Sequence, residues 1–321
     1  MLVDPFGRSI DYLRISLTDR CNFRCIYCFP PTGVKLHPRS ELLSAEKIFR
    51  IARVAVDLGI TKIKLTGGEP LVFKEIVELV RKLSDLPGLA DLSLTTNGSR
   101  LGQLVQPLYA AGLRRLNLSL DSLNPVRFAQ ISRGGSLAEV LSGFESAKKL
   151  GFQIKINTVL LKDWNTEELF DLVEFAGAND VEIRFIEFMP LCGQGWNGNF
   201  FTDVREVQTQ LRERYELHPL QSNGVARRFA THTGARIGFI PTLSEPFCHG
   251  CSRLRLTAWG TLRPCLFSSL EVDLRALLVS EVDDSQLKSA FFEVVAKKPA
   301  RNPVLFEKED PERLLIRSIG G

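Results

Sequence analysis

Short apolar segments alternate with amphipathic ones through the first two thirds of the chain. Six segments rich in Val, Ile and Leu predict strands at residues 12–17, 62–66, 91–96, 115–120, 153–160 and 182–187. The segments between them show helical spacing, as in residues 44–58, where Ser44 can cap the helix and Gly59 follows its end. Six right-handed strand-then-helix units predict an α/β fold, a partial (open) TIM-type (β/α)6 barrel.

The alternation breaks after about residue 215. Short β-like pieces follow, then a helical stretch near 284–297 and a charged, Pro-containing tail that ends in Gly320-Gly321. We therefore expect two domains, a partial barrel at 1–214 and a smaller α+β extension at 215–321. Because loops at the carboxyl ends of barrel strands form the reactive face, motifs that directly follow strands are the candidates for chemistry.

Composition and charge narrow the class of protein. The chain has 321 residues, of which 44% are hydrophobic, and its net charge of +4 is too small to indicate a general nucleic-acid binder. No apolar run approaches the roughly 20 residues that span a bilayer, so we expect a cytoplasmic protein with no membrane or nucleic-acid partner. Seven unevenly clustered cysteines indicate metal ligands or reactive thiols rather than disulfides.

Three cysteines, Cys21, Cys25 and Cys28, follow the first predicted strand within eight residues. A zinc site normally takes four protein ligands or three plus water, whereas a [4Fe–4S] cube held by three thiolates leaves one iron open. Structural zinc and thiols without metal are the alternatives. The Cys-x3-Cys-x2-Cys spacing, with Tyr27 before the last cysteine, resembles the signature of the radical SAM (S-adenosylmethionine) superfamily and favours the cluster.

Polar loops follow the next three predicted strands. Gly67 and Gly68 let a backbone approach a ligand closely, and Glu69 can accept a hydrogen bond from an ammonium group. Thr95 and Ser119 end the third and fourth strands, where turn and cap residues would look the same. The placement of these loops after consecutive strands predicts that they share one rim of the barrel.

A second group, Cys248, Cys251 and Cys265, lies in the predicted extension, and His249 offers a possible fourth ligand. Cys3His zinc is a serious alternative to a cluster here, because Cys-x2-Cys pairs are common in structural zinc sites. Arg253 and Arg255 follow at alternate positions of an extended segment, which points both guanidinium groups to one side. The two side chains either lie exposed to solvent on an edge strand or bind phosphate groups.

Together these motifs resemble the GTP 3′,8-cyclase family of molybdenum cofactor biosynthesis. The resemblance extends from the first cysteine group through GGEP, TTNG, SLD and EIRFIEFMP to the second group and the terminal Gly-Gly. Two alternatives remain open. One is another twin-cluster radical SAM enzyme, such as a peptide or sulfatase maturase, and the other is a zinc- or cluster-containing binding protein.

The resemblance implies two [4Fe–4S] clusters and SAM as cofactors. The SAM contacts that it implies are Tyr27, Gly67, Gly68, Glu69, Ser119 and Met189. The GTP contacts that it implies are Arg14, Lys64, Thr95, Lys155, Arg184, Arg253, Leu254 and Arg255. The catalytic residues that it implies are Arg253, Arg255, Gly320 and Gly321. The family usually carries Arg where Lys64 stands, so here the positive charge is kept but the bidentate guanidinium fork is lost. For Met189, a role in the hydrophobic core is nearly as plausible as a contact with SAM.

The implied reaction starts when a 5′-deoxyadenosyl radical, derived from SAM, removes the hydrogen at C3′ of GTP. The ribose radical then adds to C8 of guanine, which leads to (8S)-3′,8-cyclo-7,8-dihydroguanosine 5′-triphosphate. The resemblance also implies cyclic pyranopterin monophosphate synthase as a pathway partner, an unidentified electron donor and a possible homodimer. The remaining cysteine, Cys192, is interpreted as a small buried or loop thiol.

Overall fold

Six parallel strands form the centre of the fold. The computed structural model describes residues 1–30, 33–189, 198–222, 224–278 and 283–303. A short antiparallel hairpin comes first, formed by β1 (Leu2–Val3) and β2 (Ser9–Ile10). The six central strands are β3 (Tyr12–Ser16), β4 (Lys62–Thr66), β5 (Asp91–Thr96), β6 (Arg115–Ser119), β7 (Gln153–Leu160) and β8 (Glu182–Glu187). Each pairs in parallel with the next, so the six predicted units are confirmed.

Helices connect the central strands. They are α1 (Ala45–Asp57), α2 (Ile76–Ser84), α3 (Leu101–Ala110), α4 (Pro125–Ser132), α5 (Leu137–Lys149) and α6 (Leu169–Ala178). The predicted cap of α1 is present, because the Ser44 Oγ accepts from the Lys47 N–H at 3.4 Å. Within the described ranges, every helix is too short or too polar to cross a bilayer.

The second part of the chain adds strands to both edges of the same sheet. Its elements are α7 (Val204–Arg214), β9 (Leu217–Leu220), β10 (Arg227–Thr231), β11 (Arg236–Ile240), β12 (Arg253–Leu256), β13 (Thr261–Arg263), β14 (Val272–Asp273) and α8 (Asp284–Ala296). The β11 strand pairs in parallel with β8, and β12 pairs in parallel with β3. Among the described residues the strand order is β14-β13-β12-β3-β4-β5-β6-β7-β8-β11-β10-β9, so the sheet stays open, as expected.

The two faces of the central strands differ in polarity. In β3, Leu13 and Ile15 are fully buried in the core under the helices, while Tyr12, Arg14 and Ser16 occupy the opposite face. The same alternation recurs in the neighbouring strands, although parallel strands commonly read as continuous apolar runs. The inner face of the open barrel is therefore polar, as a site for charged ligands requires.

One buried carboxylate fixes the loop after β6. The Glu168 side chain accepts from the Ser122 hydroxyl at 2.6 Å, from the N–H of Leu123 at 2.7 Å and from the Arg127 guanidinium at 2.8 Å. Its residue is only 6% exposed. The Asn124 N–H also donates to this carboxylate at 3.2 Å, so four donors lose an acceptor if it is removed, and this side chain holds the rim of the barrel between β6 and α4.

Replacement of this carboxylate should destabilise the fold. We expect Glu168→Ala to lower the free energy of unfolding by about 3 kcal/mol, since it removes the acceptor of several buried donors and leaves Arg127 with only the exposed Glu167. The neighbouring Glu167 also pairs with Arg127, but its side chain is 76% exposed, so Glu167→Ala should cost less than about 1 kcal/mol. Urea unfolding of both variants measures the difference, and equal losses would contradict the assignment.

Candidate functional site

The first cysteine trio (Cys21, Cys25 and Cys28) lies on the loop that follows β3. Two backbone N–H groups of this loop donate at 2.9 Å to carbonyl groups at the end of α4. The Phe23 N–H donates to the Cys21 sulfur at 3.3 Å, and the Asn97 side-chain amide reaches the same sulfur at 3.8 Å. All three thiols are half-buried, so the trio faces a partly sheltered space at the carboxyl end of the barrel.

The surroundings of this trio disfavour bare thiolates. Burial, followed by repulsion from Glu69, raises the pKa of Cys21 to about 11. Burial and the neighbouring Asp121 also raise the pKa of Cys25, by more. A metal group supplies the positive charge that desolvated thiolates lack, and thiolate is the ligand form that iron binds. The donor set of this loop therefore fits an iron–sulfur cluster.

The Gly67-Gly68 pair packs against the segment just before the first trio. The Gly68 N–H donates to the Thr18 carbonyl at 2.7 Å, and the next N–H donates to the Arg20 carbonyl at 2.8 Å. A methyl group on Gly68 would lie 2.2 Å from the Arg20 carbonyl oxygen, and one on Gly67, whose φ is +140°, would lie 2.6 Å from that of Thr18. Only glycine fits at these two positions, because real contacts are never so short.

Glu69 joins two rim loops. Its carboxylate accepts from the Thr96 hydroxyl at 2.6 Å and from the N–H groups of Asn97 at 2.7 Å and Leu71 at 3.0 Å. Burial raises its pKa to about 7, although these hydrogen bonds oppose the shift. Both carboxylate oxygens thus make internal bonds that link the end of β4 to the end of β5. If Glu69 also accepts a hydrogen bond from the SAM ammonium group, the same oxygens must serve both purposes.

Tyr27 is held from across the barrel. Its hydroxyl donates to Asp121 at 2.7 Å, and the other oxygen of this carboxylate accepts from the Val159 N–H at 2.9 Å. Burial raises the pKa of Asp121 to about 6. Sequence analysis noted the SLD motif but gave Asp121 no role. Thr95 and Ser119 are half-buried near the same rim.

The second cysteine trio (Cys248, Cys251 and Cys265) surrounds the start of β12 and the end of β13. All three thiols are half-buried. His249, which sequence analysis offered as a fourth ligand, is exposed in the turn between the first two cysteines. The Phe267 N–H donates to the Cys265 sulfur at 3.5 Å. Burial would raise the pKa of Cys251, but nearby positive side chains hold it at about 6, so a thiolate ligand is available here.

In the described residues, no three His, Cys, Asp or Glu side chains converge so as to hold a single metal ion. An iron–sulfur cube does not require such convergence, because each of its thiolates binds a different iron atom.

The two trios lie at opposite ends of the barrel. The β12 strand runs parallel to β3, with Arg253 opposite Tyr12 and Arg255 opposite Arg14. Cys251 precedes β12, whereas the first trio follows β3. The two sites are therefore separated along the strands by about the length of β3, five residues or roughly 16 Å.

Six cationic side chains lie on the inner face between the two ends. They are Arg14, Lys64, Lys155, Arg184, Arg253 and Arg255, and we call them the cation set. Arg255, Arg14 and Lys64 stand side by side on three adjacent strands. Burial, and then repulsion from Arg14, Arg184 and Lys155, lowers the pKa of Lys64 well below its usual value. Arg184 and Lys155 lie 2.6 Å and 3.7 Å from the Glu182 carboxylate, so side chains from the neighbouring strands share this inner face, which suits a polyanion.

One acidic side chain, Glu182, is buried among these cations. Its carboxylate accepts from Arg184 at 2.6 Å and from Arg228 at 2.8 Å, and Lys155 Nζ lies 3.7 Å away. These cations lower its pKa although burial acts in the opposite direction. Sequence analysis missed both Glu182 and Arg228. The signal for Glu182 was its position two residues before Arg184, which places both side chains on the same face of β8.

The remaining residues singled out from the sequence have less direct positions. The Leu254 side chain is fully buried in the hydrophobic core, so only its backbone could contact GTP. Met189, which follows the carboxyl end of β8, packs with Leu266 and Cys265 around the buried Phe267. Gly320 and Gly321, like Cys192, lie outside the described residues. The roles predicted for all of these residues stay predictions.

Two family models match the chain. The Radical SAM superfamily matches residues 15–176, and Molybdenum Cofactor Synthesis C matches residues 181–304. The first match contains the first cysteine trio and the glycine loop. The second contains the second trio, Arg253 and Arg255.

Curated relatives match over almost the full length. The chain is 45% identical over 309 residues to the GTP 3′,8-cyclase of Pseudomonas putida (strain W619), which covers 94% of this chain and 92% of the relative. It is 42% identical over 304 residues to that of Moorella thermoacetica, covering 93% and 94%. It is also 42% identical to molybdenum cofactor biosynthesis protein 1 of Drosophila melanogaster, covering 92% of this chain and 54% of that protein.

Solved structures support the fold. The Streptococcus suis protein SuiB superimposes with a TM-score of 0.60 at 18% identity, covering 95% of this chain and 76% of the other. Its complex with S-adenosylmethionine gives a TM-score of 0.58, also at 18% identity, covering 88% and 68%. At this identity the likeness concerns the fold alone.

The close contact at Gly68 generates a test. We expect Gly68→Ala to displace the segment before Cys21, because its methyl group would overlap the Arg20 carbonyl. Iron retained after anaerobic reconstitution should fall by about half if one of two sites is lost. Gly102→Ala, on α3 with open space around its Cβ, should retain iron fully and stabilise the helix by about 0.5–1 kcal/mol. Equal iron contents in the two variants would refute the steric argument.

Proposed function

The chain belongs to the radical SAM superfamily and, within it, to the GTP 3′,8-cyclases, and we propose that it converts GTP into (8S)-3′,8-cyclo-7,8-dihydroguanosine 5′-triphosphate, the first step of molybdenum cofactor biosynthesis. The observation that carries this proposal is one polar barrel with a cysteine trio at each end and the cation set between them. A triphosphate is the kind of ligand that offsets such a set of buried charges.

The residues that would hold the clusters are the two cysteine trios, Cys21, Cys25 and Cys28 at one end and Cys248, Cys251 and Cys265 at the other. When bound, the first cluster with SAM supplies a deoxyadenosyl radical, and the second offers an open iron to the guanine base. Three protein thiolates per cluster leave one coordination position for a small molecule in each case.

Residues of the first rim would bind SAM. In the proposal Tyr27, Gly67, Gly68, Glu69, Ser119 and Met189 contact it. The Tyr27–Asp121 hydrogen bond joins the loops after β3 and β6, and the internal bonds of Glu69 join those after β4 and β5, before a ligand arrives. Such preorganisation matters because a carbon radical removes any nearby hydrogen, so C3′ of the ribose has to be in position first.

The cation set would bind the triphosphate. Each charge-assisted hydrogen bond to a phosphate oxygen contributes about 1.5–3 kcal/mol where water is excluded. Arg253 and Arg255 come from the strand next to the second trio and Arg14 from the adjacent strand, so the phosphates and the base would be held by neighbouring elements. Thr95 and the Leu254 backbone complete the proposed contacts. Lys64 contributes a point charge and no bidentate fork.

Catalytic roles in the proposal belong to Arg253, Arg255, Gly320 and Gly321. The two arginines hold the nucleotide so that C3′ and C8 approach one another, which converts ring closure into a positioned intramolecular step. The part assigned to the terminal glycines comes from the resemblance to the family.

Partners and location follow from the proposed pathway. We propose cyclic pyranopterin monophosphate synthase as the enzyme that consumes the product, because it acts next on the cyclised nucleotide. A low-potential electron donor, not yet identified, has to reduce the first cluster. A homodimer and a cytoplasmic location stay predictions.

Anaerobic turnover tests the proposed reaction directly. Reconstituted protein with about eight iron atoms per chain, incubated with SAM, dithionite and GTP, should yield 5′-deoxyadenosine and a cyclised nucleotide in equal amounts. Liquid chromatography with mass detection measures both products. Deoxyadenosine without the nucleotide product would favour the peptide or sulfatase maturase alternative, and zinc in place of iron would exclude both enzymes.

The charge state of Lys155 generates a pH prediction. Burial, and then Arg184, lowers the pKa of Lys155 to about 8, while Glu182 partly opposes the shift. A lysine is charged below its pKa, so its attraction for the triphosphate is lost as the pH rises through that value. The KM for GTP should rise about threefold between about pH 7.5 and about pH 8.5. Lys155→Arg stays charged across this range, so its KM should change less, and a parallel rise would contradict the prediction.

A further inference from the structure

A buried lysine that the proposed reaction does not use lies beside the second trio. Lys298 follows the end of α8, and only 4% of its surface is exposed. Its ammonium group donates to the Arg253 carbonyl at 2.7 Å and to the Pro264 carbonyl at 2.8 Å, and it lies 3.7 Å from the Cys251 sulfur. Burying an ammonium group costs free energy unless its N–H donors have acceptors, so these hydrogen bonds fix the position of the Lys298 ammonium group.

The three partners of Lys298 belong to two separate parts of the second site. Arg253 follows Cys251 at the start of β12, and Pro264 directly precedes Cys265. These cysteines are fourteen positions apart in the chain, with the turn between β12 and β13 separating them. One ammonium group therefore sets the position of two cysteines relative to each other.

The residues that follow Lys298 contact the third cysteine of the trio, Cys248. The Asn302 N–H donates to the Cys248 sulfur. Arg8 donates to the Cys248 carbonyl at 2.7 Å, to the Pro299 carbonyl at 2.6 Å and to the Ala300 carbonyl at 3.1 Å. Each cysteine of the second trio is thus tied, directly or through one residue, to the segment 298–302.

We propose that Lys298 is a positioning residue for the second iron–sulfur cluster, which fixes Cys251 and Cys265 in their ligating arrangement and raises the reduction potential of the bound cluster. This inference rests on the proposed function, since it requires that the second trio holds a cluster. Hydrogen bonds and positive charge at cluster sulfurs favour the reduced state, because that state carries one more negative charge. Residues that support ligands in this way commonly change metal affinity about 10- to 100-fold.

The test uses full-length protein in which all three cysteines of the first trio are replaced by Ala, so that one cluster is observed alone. The variants are Lys298→Met and Lys298→Gln, with Lys297→Met as the matched control, because Lys297 is exposed and pairs only with Glu293 in the described contacts. Cluster loss to a chelator is followed by absorbance, and the midpoint potential by electron paramagnetic resonance in a redox titration.

Lys298→Met should lose its cluster about 10- to 100-fold faster than the control, and its midpoint potential should be more negative. Lys298→Gln keeps a donor without the charge, so it should retain the cluster better and still show a lower potential. If Lys298→Met does not fold, as circular dichroism will show, the potential of Lys298→Gln decides alone. Loss rates and potentials equal to those of Lys297→Met would overturn the proposal.

These measurements use neither SAM nor GTP, so they separate two kinds of failure. If the protein with an intact second trio takes up no cluster, the proposed function itself is wrong. If that protein holds the cluster and the Lys298 variants behave like the control, only the role of Lys298 is wrong.

Discussion

Repulsion between like charges inside the barrel is the constraint on which the rest of the structure depends. The parallel register places Arg255, Arg14 and Lys64 on neighbouring strands, which are about 4.8 Å apart, and the partial burial of this face reduces the water that screens them. Glu182 offsets part of this charge by pairing with Arg184 and Arg228. An anionic ligand that binds among these cations therefore stabilises the folded state.

The core under the helices allows the barrel to tolerate that charge. Each central strand buries Leu or Ile side chains on its outer face, and this apolar layer is continuous from β12 to β11. The strands therefore keep their register although their inner faces repel one another. The rim loops are fixed in a different way, by hydrogen bonds from buried carboxylates to backbone groups, as at Glu69, Asp121 and Glu168.

Local patterns in the sequence were sufficient to predict the central strands and helices of the barrel, but not the strands that pair with its two edges. The predicted ends of β3, β6, α1 and α8 differ from the structure by one residue at most at each end, because strand alternation and helix caps act over a few residues. The strands after residue 215 were expected to form an extension, yet they continue the same sheet on both sides. Pairing of β12 with β3 joins segments about 240 residues apart, and no short-range pattern records it.

The residues of the candidate site likewise fall into those that the sequence identified and those that it did not. Cysteine spacing identified both trios from the sequence, and the alternation of an extended segment placed Arg253 and Arg255 on one side, whereas the other members of the cation set came from the resemblance to the family. Residues that act through another side chain were missed, because a single Asp121 or Lys298 has no distinctive neighbours in the chain. The Leu254 side chain lies in the core, so its predicted contact with GTP, which would involve the backbone, stays a prediction.

The ties between the second trio and the two ends of the described chain have a consequence for biosynthesis. A ribosome releases the protein from its amino end, and the first trio with its glycine loop needs no residue beyond about 160 for the contacts described. The second trio waits for residues 298–302, the last described segment, before its thiols are held in place. The second site therefore takes its shape only when residues 298–302 have docked, whereas the described contacts of the first site are complete within residues 1–160.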